Sequence, residues 1–254
     1  NEDINPLTPI GFGDTFVNNS TKAIYEGTNY VKAFQVWGTV TPKNGTALPL
    51  YEGANVKDTA AEGVKNYGVA WSCDVQRYWA EDCNYKLYAV VDSRVATAAG
   101  TPANVNVTAP NGVLSKIAYT ADGQNDLLYG YKAVNTIDEA IPTLVAFEMN
   151  HLLSKISFKF TAHADLLAGY TYKVNSVTVE NAFATGVYTV ADNGTGSWAS
   201  QKDAMAKLTL AVPTTTAIAA NEAVAASGAY VIIPGAAPLK ITIEAQLLFN
   251  SSNY

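Results

Sequence analysis

The sequence predicts an all-β protein built from two antiparallel β-sandwich domains in tandem, on three observations. Runs in which apolar and polar residues alternate recur along the 254 residues, and this period of two is typical of half-buried strands. Turn-forming Gly, Pro, Asn and Asp separate the runs at short intervals, as they do in sandwiches. Residues that favour strands are abundant, with 15 tyrosines, whereas Arg77 and Arg94 are the only arginines.

The composition argues against several classes of function. Hydrophobic residues make up 48% of the chain, which is ample for a large core, while charged residues make up 15% and the net charge is -6. Lys and Arg form no cluster, so the sequence offers no positive surface for nucleic acid. No run approaches the roughly 20 apolar residues that span a bilayer, and no signal-peptide pattern is present, so we expect a soluble, mature protein. Export is inferred on the expectation that a signal sequence has been removed upstream.

Six strands are predicted in the first half of the chain. In the first strand Phe34 and Val36 share a face, and in the fourth Tyr85 and Leu87 share one, because strand side chains alternate. Asp122-Gly123 predicts a hairpin turn between the last two strands. The six strands cover Val31 to Val40, Leu48 to Tyr51, Tyr67 to Cys73, Asn84 to Val91, Gly112 to Tyr119 and Asp126 to Tyr131.

Seven further strands are predicted in the second half. The clearest is Leu239 to Phe249, whose odd-numbered residues from Leu239 to Leu247 form an apolar face. The apolar phase of Tyr170 to Glu180 shifts near Asn175, which predicts a β-bulge there. Only Ala217 to Ala226 is predicted as a short helix. The other strands are Leu144 to Met149, Leu152 to Phe160, Gly186 to Val190, Lys207 to Val212 and Ala229 to Ile233.

The strand pattern breaks once, between Asn135 and Pro142. We therefore predict an N-terminal sandwich over residues 1–141 and a C-terminal sandwich over residues 142–254, each within the usual size range of a domain. The sequence has no internal repeat.

Cys73 and Cys83 are the only cysteines, and aromatic residues lie close to both. Their spacing favours a disulfide across a loop between two strands. Two free thiols are the alternative. Metal or redox chemistry fits less well, because a zinc site needs two further ligands and His151 and His163 lie far away in the sequence.

The segment from Thr143 to Phe160 joins two alternating runs through a polar hinge, and it is the last of several motifs that occur in a fixed order. With these motifs the chain resembles the fimbrillin-like surface proteins of Bacteroidetes, the subunits of type V pili. The motifs are Phe34-Gln35-Val36-Trp37-Gly38, Leu50-Tyr51, Trp71 with Tyr78-Trp79, Asn84 to Ala89, Asp126 to Gly130 and Phe147 to Ile156.

The resemblance implies transthyretin-like sandwiches, export as a lipoprotein to the outer membrane, and cell adhesion as a non-enzymatic pilus subunit. It further implies that a protease removes an N-terminal strand and that a strand from the neighbouring subunit fills the groove. Lys22 stands where the family has its basic cleavage residue. Ile4 to Phe16 is then the removable strand, and the apolar face of Leu239 to Leu247 belongs to the sheet near the acceptor groove.

The residues favour no enzyme, cofactor or metal site. His151 lies between two strands without a nucleophile motif, so we interpret it as a structural residue that bonds neighbouring backbone. Asp122 to Asp126 and Asp192 to Gly196 lack the carboxylates of a calcium loop and are interpreted as turns. The alternative function is a carbohydrate-binding surface module or a tip adhesin that does not polymerise, with Tyr78 and Trp79 as the ligand contact.

Overall fold

The structure is a computed structural model that describes residues 7–13, 15–17, 31–60, 70–93, 104–199, 208–210, 217–235, 238–250 and 252–253. The regular secondary structure of these residues is almost entirely β-strand, and a 3-10 turn lies at Pro110–Gly112. The prediction of an all-β fold with antiparallel sheets is therefore confirmed.

The strands are numbered in chain order. They are β1 Phe16–Val17, β2 Ala33–Pro42, β3 Leu48–Lys57, β4 Ser72–Cys73, β5 Cys83–Asp92, β6 Val105–Thr108, β7 Lys116–Thr120, β8 Leu127–Asn135, β9 Glu148–His151, β10 Ser154–Thr161, β11 Tyr170–Glu180, β12 Thr185–Val190, β13 Gly196–Trp198, β14 Leu208–Leu210, β15 Ala223–Ile232, β16 Lys240–Phe249 and β17 Ser252–Asn253.

The chain forms two compact units that are not contiguous in sequence. The first unit consists of Asn1–Thr120, Asn125–Leu152 and Val187–Ala199, and the second consists of Ala121–Gln124, Leu153–Gly186 and Ser200–Tyr254. The division into 1–141 and 142–254 stays a prediction about domains.

The first unit is organised around a seven-stranded sheet in the order β1-β9-β8-β5-β2-β3-β4. Its inner ladders are antiparallel, whereas β1 pairs with β9 in parallel. The central strand β5 is buried on both faces. Tyr85, Leu87 and their alternating neighbours enter the main core, while Tyr88 is fully buried on the other face.

A second sheet has the order β13-β12-β7-β6, and its strand pairing contradicts the predicted hairpin at Asp122-Gly123. The turn at Asp122-Gly123 has the expected chemistry, since Gly123 has a φ of 80° and the Gln124 N–H donates to Asp122 Oδ1 at 2.9 Å. However, β7 pairs with β6, and β8 pairs with β5 and β9. The predicted hairpin is therefore wrong, because the turn carries the chain from one sheet to another.

The second unit contains a two-stranded sheet, β10-β15, and a four-stranded sheet, β14-β11-β16-β17. The core between them includes Val177 and Val179 from β11 and Tyr230 and Ile232 from β15. The register between β11 and β16 shifts between Val174 and Ser176, so the bulge predicted near Asn175 is confirmed. The short helix predicted at Ala217 to Ala226 is wrong, because this stretch runs in bridges and a turn into strand β15.

Both cysteines are free thiols, which corrects the prediction of a disulfide. Cys73 in β4 pairs with Val56 of β3, whereas Cys83 starts β5 opposite Pro42 of β2. Two strands, β2 and β3, separate β4 from β5 in the sheet. At about 4.8 Å between strands the lateral separation alone reaches about 14 Å, which is beyond the reach of a disulfide.

Candidate functional site

The first candidate site is the N-terminal segment, residues 7–13 and 15–17, which is inserted into the first unit like a strand. On one side the N–H groups of Trp79 and Trp71 donate to the carbonyls of Thr8 and Phe12, both at 2.8 Å. On the other side Val145 donates to Gly11 at 2.7 Å and accepts from Gly13 at 3.0 Å. The segment is therefore hydrogen-bonded along both edges.

Phe12 anchors this segment in the core of the first unit. Its side chain is fully buried, and its ring centroid lies 5.8 Å from that of Phe34, 5.6 Å from that of Tyr51 and 6.2 Å from that of Phe147. Burial raises the pKa of the Tyr51 hydroxyl, in keeping with a dry environment at this point. The N-terminal segment thus fills an aromatic slot.

The glycines on either side of Phe12 let the segment approach its neighbours closely. A Cβ atom on Gly11 would lie 2.8 Å from Leu144 Cδ2, and one on Gly13 would lie 2.9 Å from Leu144 Cδ1. A bulky, strand-anchoring aromatic between two small residues is a local signal that the sequence contains, although the prediction of Ile4 to Phe16 came from the family resemblance. Lys22 and Ile4 lie outside the described residues.

The second candidate site is the apolar face of β16, in the second unit. Ile241, Ile243 and Leu247 are 47%, 49% and 38% exposed, which is unusual for three large apolar residues on one face of a strand. Residues directly opposite each other in an antiparallel ladder share a face, and Ile243 lies opposite Val177 while Ile241 lies opposite Val179. The β16 side chains therefore continue the core-facing surface of β11.

The core of the second unit covers this surface on β11 but leaves it exposed on β16. Val177 and Val179 are fully buried beneath the core of the second unit, whereas their partners on β16 are about half exposed. The edge of β16 is open too, since among the described residues only β17 pairs with it there, at Leu248 and Phe249. As far as the structure describes it, the second unit thus presents an uncovered apolar face beside an unpaired strand edge, which is the combination that strand addition uses.

A pocket of about 480 Å³ lies at the end of this face. It is lined by His163, Asp165, Leu166, Leu167, Tyr170, Tyr172 and Leu247. Tyr172 is 40% exposed and lies opposite Leu247 in the ladder, so an aromatic ring and an aliphatic side chain share the pocket wall. His163, which was predicted to be an ordinary loop residue, lines this pocket. The alternation of residues in the sequence does not reveal where a pocket forms.

The predicted ligand contact at Tyr78 and Trp79 is only partly accessible. Tyr78 is 47% exposed, but Trp79 is buried and packs edge-on against Tyr85 at a centroid distance of 4.7 Å. Trp79 is therefore a core residue in this structure, which corrects its assignment as a stacking platform. Tyr78 stays a prediction.

His151 has an acidic partner that lies far from it in sequence. Its Nδ1 lies 2.7 Å from Asp126 Oδ2, and both side chains are almost completely buried. Asp126 Oδ1 accepts from the Leu127 N–H at 2.9 Å, and the Asp126 N–H donates to Ser93 Oγ at 2.7 Å. Among the described residues no group bonds to His151 Nε2. The pair joins the start of β8 to the end of β9, so His151 bonds a carboxylate rather than the expected backbone groups.

The described residues contain no group of three or more His, Cys, Asp or Glu side chains that could hold a metal ion. Within the same ranges, no helix has the length and apolar character needed to cross a bilayer.

Solved structures of other proteins share this fold. A fimbrial protein from Bacteroides vulgatus ATCC 8482 matches with a TM-score of 0.68 at 17% sequence identity, over 97% of this chain and 86% of that one. A candidate cell adhesion protein from Bacteroides ovatus ATCC 8483 matches with a TM-score of 0.53 at 17% identity, over 96% of this chain and 86% of that one. This chain therefore shares its fold with a fimbrial protein.

The family follows from the sequence itself. The fimbrillin-like family model matches residues 21–251, and the chain belongs to this family. The resemblance based on ordered motifs is thereby confirmed. No curated protein matches the chain.

Proposed function

We propose that this chain is a non-enzymatic fimbrial subunit at the cell surface, assembled by protease-triggered strand exchange and used for adhesion. Cleavage after Lys22 frees the N-terminal segment, and a strand of a neighbouring subunit takes its place. An upstream lipid anchor would hold the subunit at the outer membrane before assembly. Membership of the fimbrillin-like family and the fimbrial fold of the Bacteroides vulgatus protein support this function.

The observation that carries the proposal is the double-edged insertion of the N-terminal segment. Its loss would leave the N–H groups of Trp71, Trp79 and Val145 without their present partners. It would also open the aromatic slot that Phe12 fills. An incoming strand satisfies both demands at once, because its backbone pairs with the edges while one large side chain enters the slot.

The replacement strand must meet a defined pattern. A large apolar side chain has to occupy the place of Phe12, and small residues have to flank it, because Gly11 and Gly13 lie against Leu144. The sequence placed the β16 face near the acceptor groove. That placement stays a proposal, with β16 in the second unit and the N-terminal segment in the first.

Limited trypsin digestion of the full chain tests the proposal. We expect a cut after Lys22, identified by N-terminal sequencing, followed by oligomers in size-exclusion chromatography and negative-stain images. Lys22→Gln should block the cut and the assembly, while Lys43→Gln, at an exposed lysine in a turn, should change neither. A chain that is cut after Lys22, loses its N-terminal segment and stays monomeric would contradict strand exchange.

The second candidate function, glycan binding, has support from the pocket at Tyr172. Its volume lies within the usual range of ligand sites, and aromatic rings commonly stack on apolar faces of small molecules. A glycan array with the uncleaved chain tests it. If Tyr172→Ala abolishes binding and Tyr78→Ala leaves it intact, a glycan module with its site at Tyr172 is favoured. The reverse result would indicate that the glycan binds at Tyr78.

A further inference from the structure

The free edge of β16 has a definite chemical character. The N–H of Asn250 donates to the Gly169 carbonyl, on the side of β11. Its neighbour Phe249 pairs with Ser252 of β17, on the opposite side. Backbone groups alternate in direction along a strand, as side chains do. Odd-numbered residues of β16 therefore point their N–H and C=O groups at the free edge.

The same odd-numbered residues carry the apolar side chains. Ile241, Ile243, Ala245 and Leu247 thus combine free-edge hydrogen-bonding groups with the exposed apolar face. Thr242 shows the opposite orientation, since the Thr178 hydroxyl on β11 lies 3.5 Å from its carbonyl oxygen. Any strand that pairs with this edge must bring apolar residues opposite the odd positions.

We propose that a second copy of this chain pairs along the β16 edge, antiparallel and centred on Ile243, so that two four-stranded sheets become one. In this register Ile243 lies opposite Ile243 of the partner subunit. Ile241 lies opposite the partner's Ala245, Thr242 opposite the partner's Glu244, and Lys240 opposite the partner's Gln246. Apolar residues meet apolar residues, and no like charges face each other.

Neighbouring registers fit less well. A shift of one position in the pairing would set isoleucines opposite polar residues, because the side-chain period is two. Centring on Glu244 would oppose two carboxylates and would require Leu248, which already pairs with Asn253. Centring on Thr242 would pair only the five residues from Lys240 to Glu244 within the strand. The register on Ile243 uses the free part of β16 most fully.

This contact has the form of an isologous dimer, in which each copy offers the same surface. It does not depend on cleavage after Lys22, on release of the N-terminal segment or on the proposed strand exchange. Its test therefore uses the uncleaved chain, in which a failure would leave the fimbrial assembly proposal untouched.

Cysteine cross-linking tests the register. In a hydrogen-bonded antiparallel pair opposite Cα atoms lie about 5.5 Å apart, within disulfide range, so Ile243→Cys should give covalent dimers under mild oxidation. Ala245→Cys is the matched control, because two copies of residue 245 would lie about 14 Å apart along the strands. The unmodified chain, with its own Cys73 and Cys83, sets the background. Equal cross-linking at 243 and 245, or none above background at 243, would overturn the proposal.

Light scattering across a concentration series tests the dimer without cross-linking. Because Ile243 is about half exposed, Ile243→Lys should not prevent folding, yet it would set two like charges opposite each other at the centre of the pairing. We expect the dissociation constant to rise about tenfold or more, whereas Leu48→Lys, at a similarly exposed residue of β3, should leave it unchanged. A chain that stays monomeric, or a dimer that Ile243→Lys does not weaken, would overturn the proposal.

Discussion

Strands β5 and β16 each carry an apolar face of alternating residues, but their surroundings differ. In the first unit β5 is buried on both faces, and Leu87, Tyr88 and Ala89 have no exposed surface. In the second unit the residues of β16 from Lys240 to Gln246 are exposed on both faces. The comparison teaches that an alternating pattern identifies an apolar face without revealing whether the same chain covers it. The first unit is closed with the help of its N-terminal segment, and the second leaves an apolar face open.

The largest expected effect concerns the residue that closes the first unit. Phe12→Ala should lower the free energy of unfolding of the uncleaved chain by about 3–5 kcal/mol, because a fully buried ring is lost from a packed core. Leu7→Ala, at a residue that is 68% exposed in the same segment, should change it by less than about 0.5 kcal/mol. Urea unfolding followed by tryptophan fluorescence measures both. If Phe12→Ala lowered the free energy of unfolding as little as Leu7→Ala does, the N-terminal segment would not stabilise the first unit.

Alkaline pH should act next, through the buried tyrosines of the first unit. Burial raises the pKa of Tyr88 to about 12, and it also raises the pKa values of Tyr51 and Tyr129. An unfolded tyrosine has a pKa of about 10, so between pH 10 and pH 12 the unfolded chain loses the Tyr88 proton while the folded chain keeps it. The free energy of unfolding is therefore unaffected below pH 10 and falls as the pH rises towards 12. For Tyr88 the loss would be roughly 2–3 kcal/mol.

Substitution isolates this effect, because the Tyr88 hydroxyl has no hydrogen-bond partner among the described residues. Tyr88→Phe should therefore keep the fold and reduce the alkaline loss of stability, as measured by urea unfolding at a series of pH values. Tyr78→Phe, at a ring that is 47% exposed, is the control. The expectation fails if both variants lose stability with pH as the unmodified chain does.

A matched pair of substitutions compares covered and uncovered positions within the second unit. Val177→Ala should cost about 2 kcal/mol, since Val177 is fully buried, while Ile243→Ala opposite it should cost less than about 1 kcal/mol in the monomer. Thermal unfolding at low protein concentration measures both. If Ile243→Ala costs as much as Val177→Ala, then the β16 face is covered in solution.

The smallest expected effect is that of reducing agent, which should leave the melting temperature of the chain unchanged because Cys73 and Cys83 are free. Thiol labelling after denaturation without reductant should count two thiols. In the folded chain Cys73 should react slowly, because burial raises the pKa of its thiol. A melting temperature that falls on reduction would instead support a disulfide between Cys73 and Cys83. The stability of the first unit would then not rest on packing alone.

Local features of this fold were predictable from the sequence. The faces of β2 and β5 and the bulge at Asn175 follow from the alternation of neighbouring residues, which reports backbone geometry directly. The interpretation of the chain as fimbrillin-like followed from motifs in a fixed order, and the family match over residues 21–251 confirms it.

Features that depend on distant partners were not predictable. The choice of β6 rather than β8 as the partner of β7, and the two strands between Cys73 and Cys83, are properties of sheet order. The pairing of His151 with Asp126 likewise depends on how β8 and β9 meet. Exposure of Ile243 and burial of Trp79 depend on what lies above each strand, which periodicity does not encode.

The position of Phe12 also has a consequence for the order of folding. Phe12 leaves the ribosome early, yet its ring packs against Phe147, and Gly11 and Gly13 bond Val145, all of which are synthesised much later. Closing so long a loop is slow compared with pairing β2 with β3, which are neighbours in sequence. The N-terminal segment is made before the residues that it contacts, yet it should be among the last parts of the first unit to dock. A component that joins a nearly finished sheet can later be exchanged without repeating the folding of the rest.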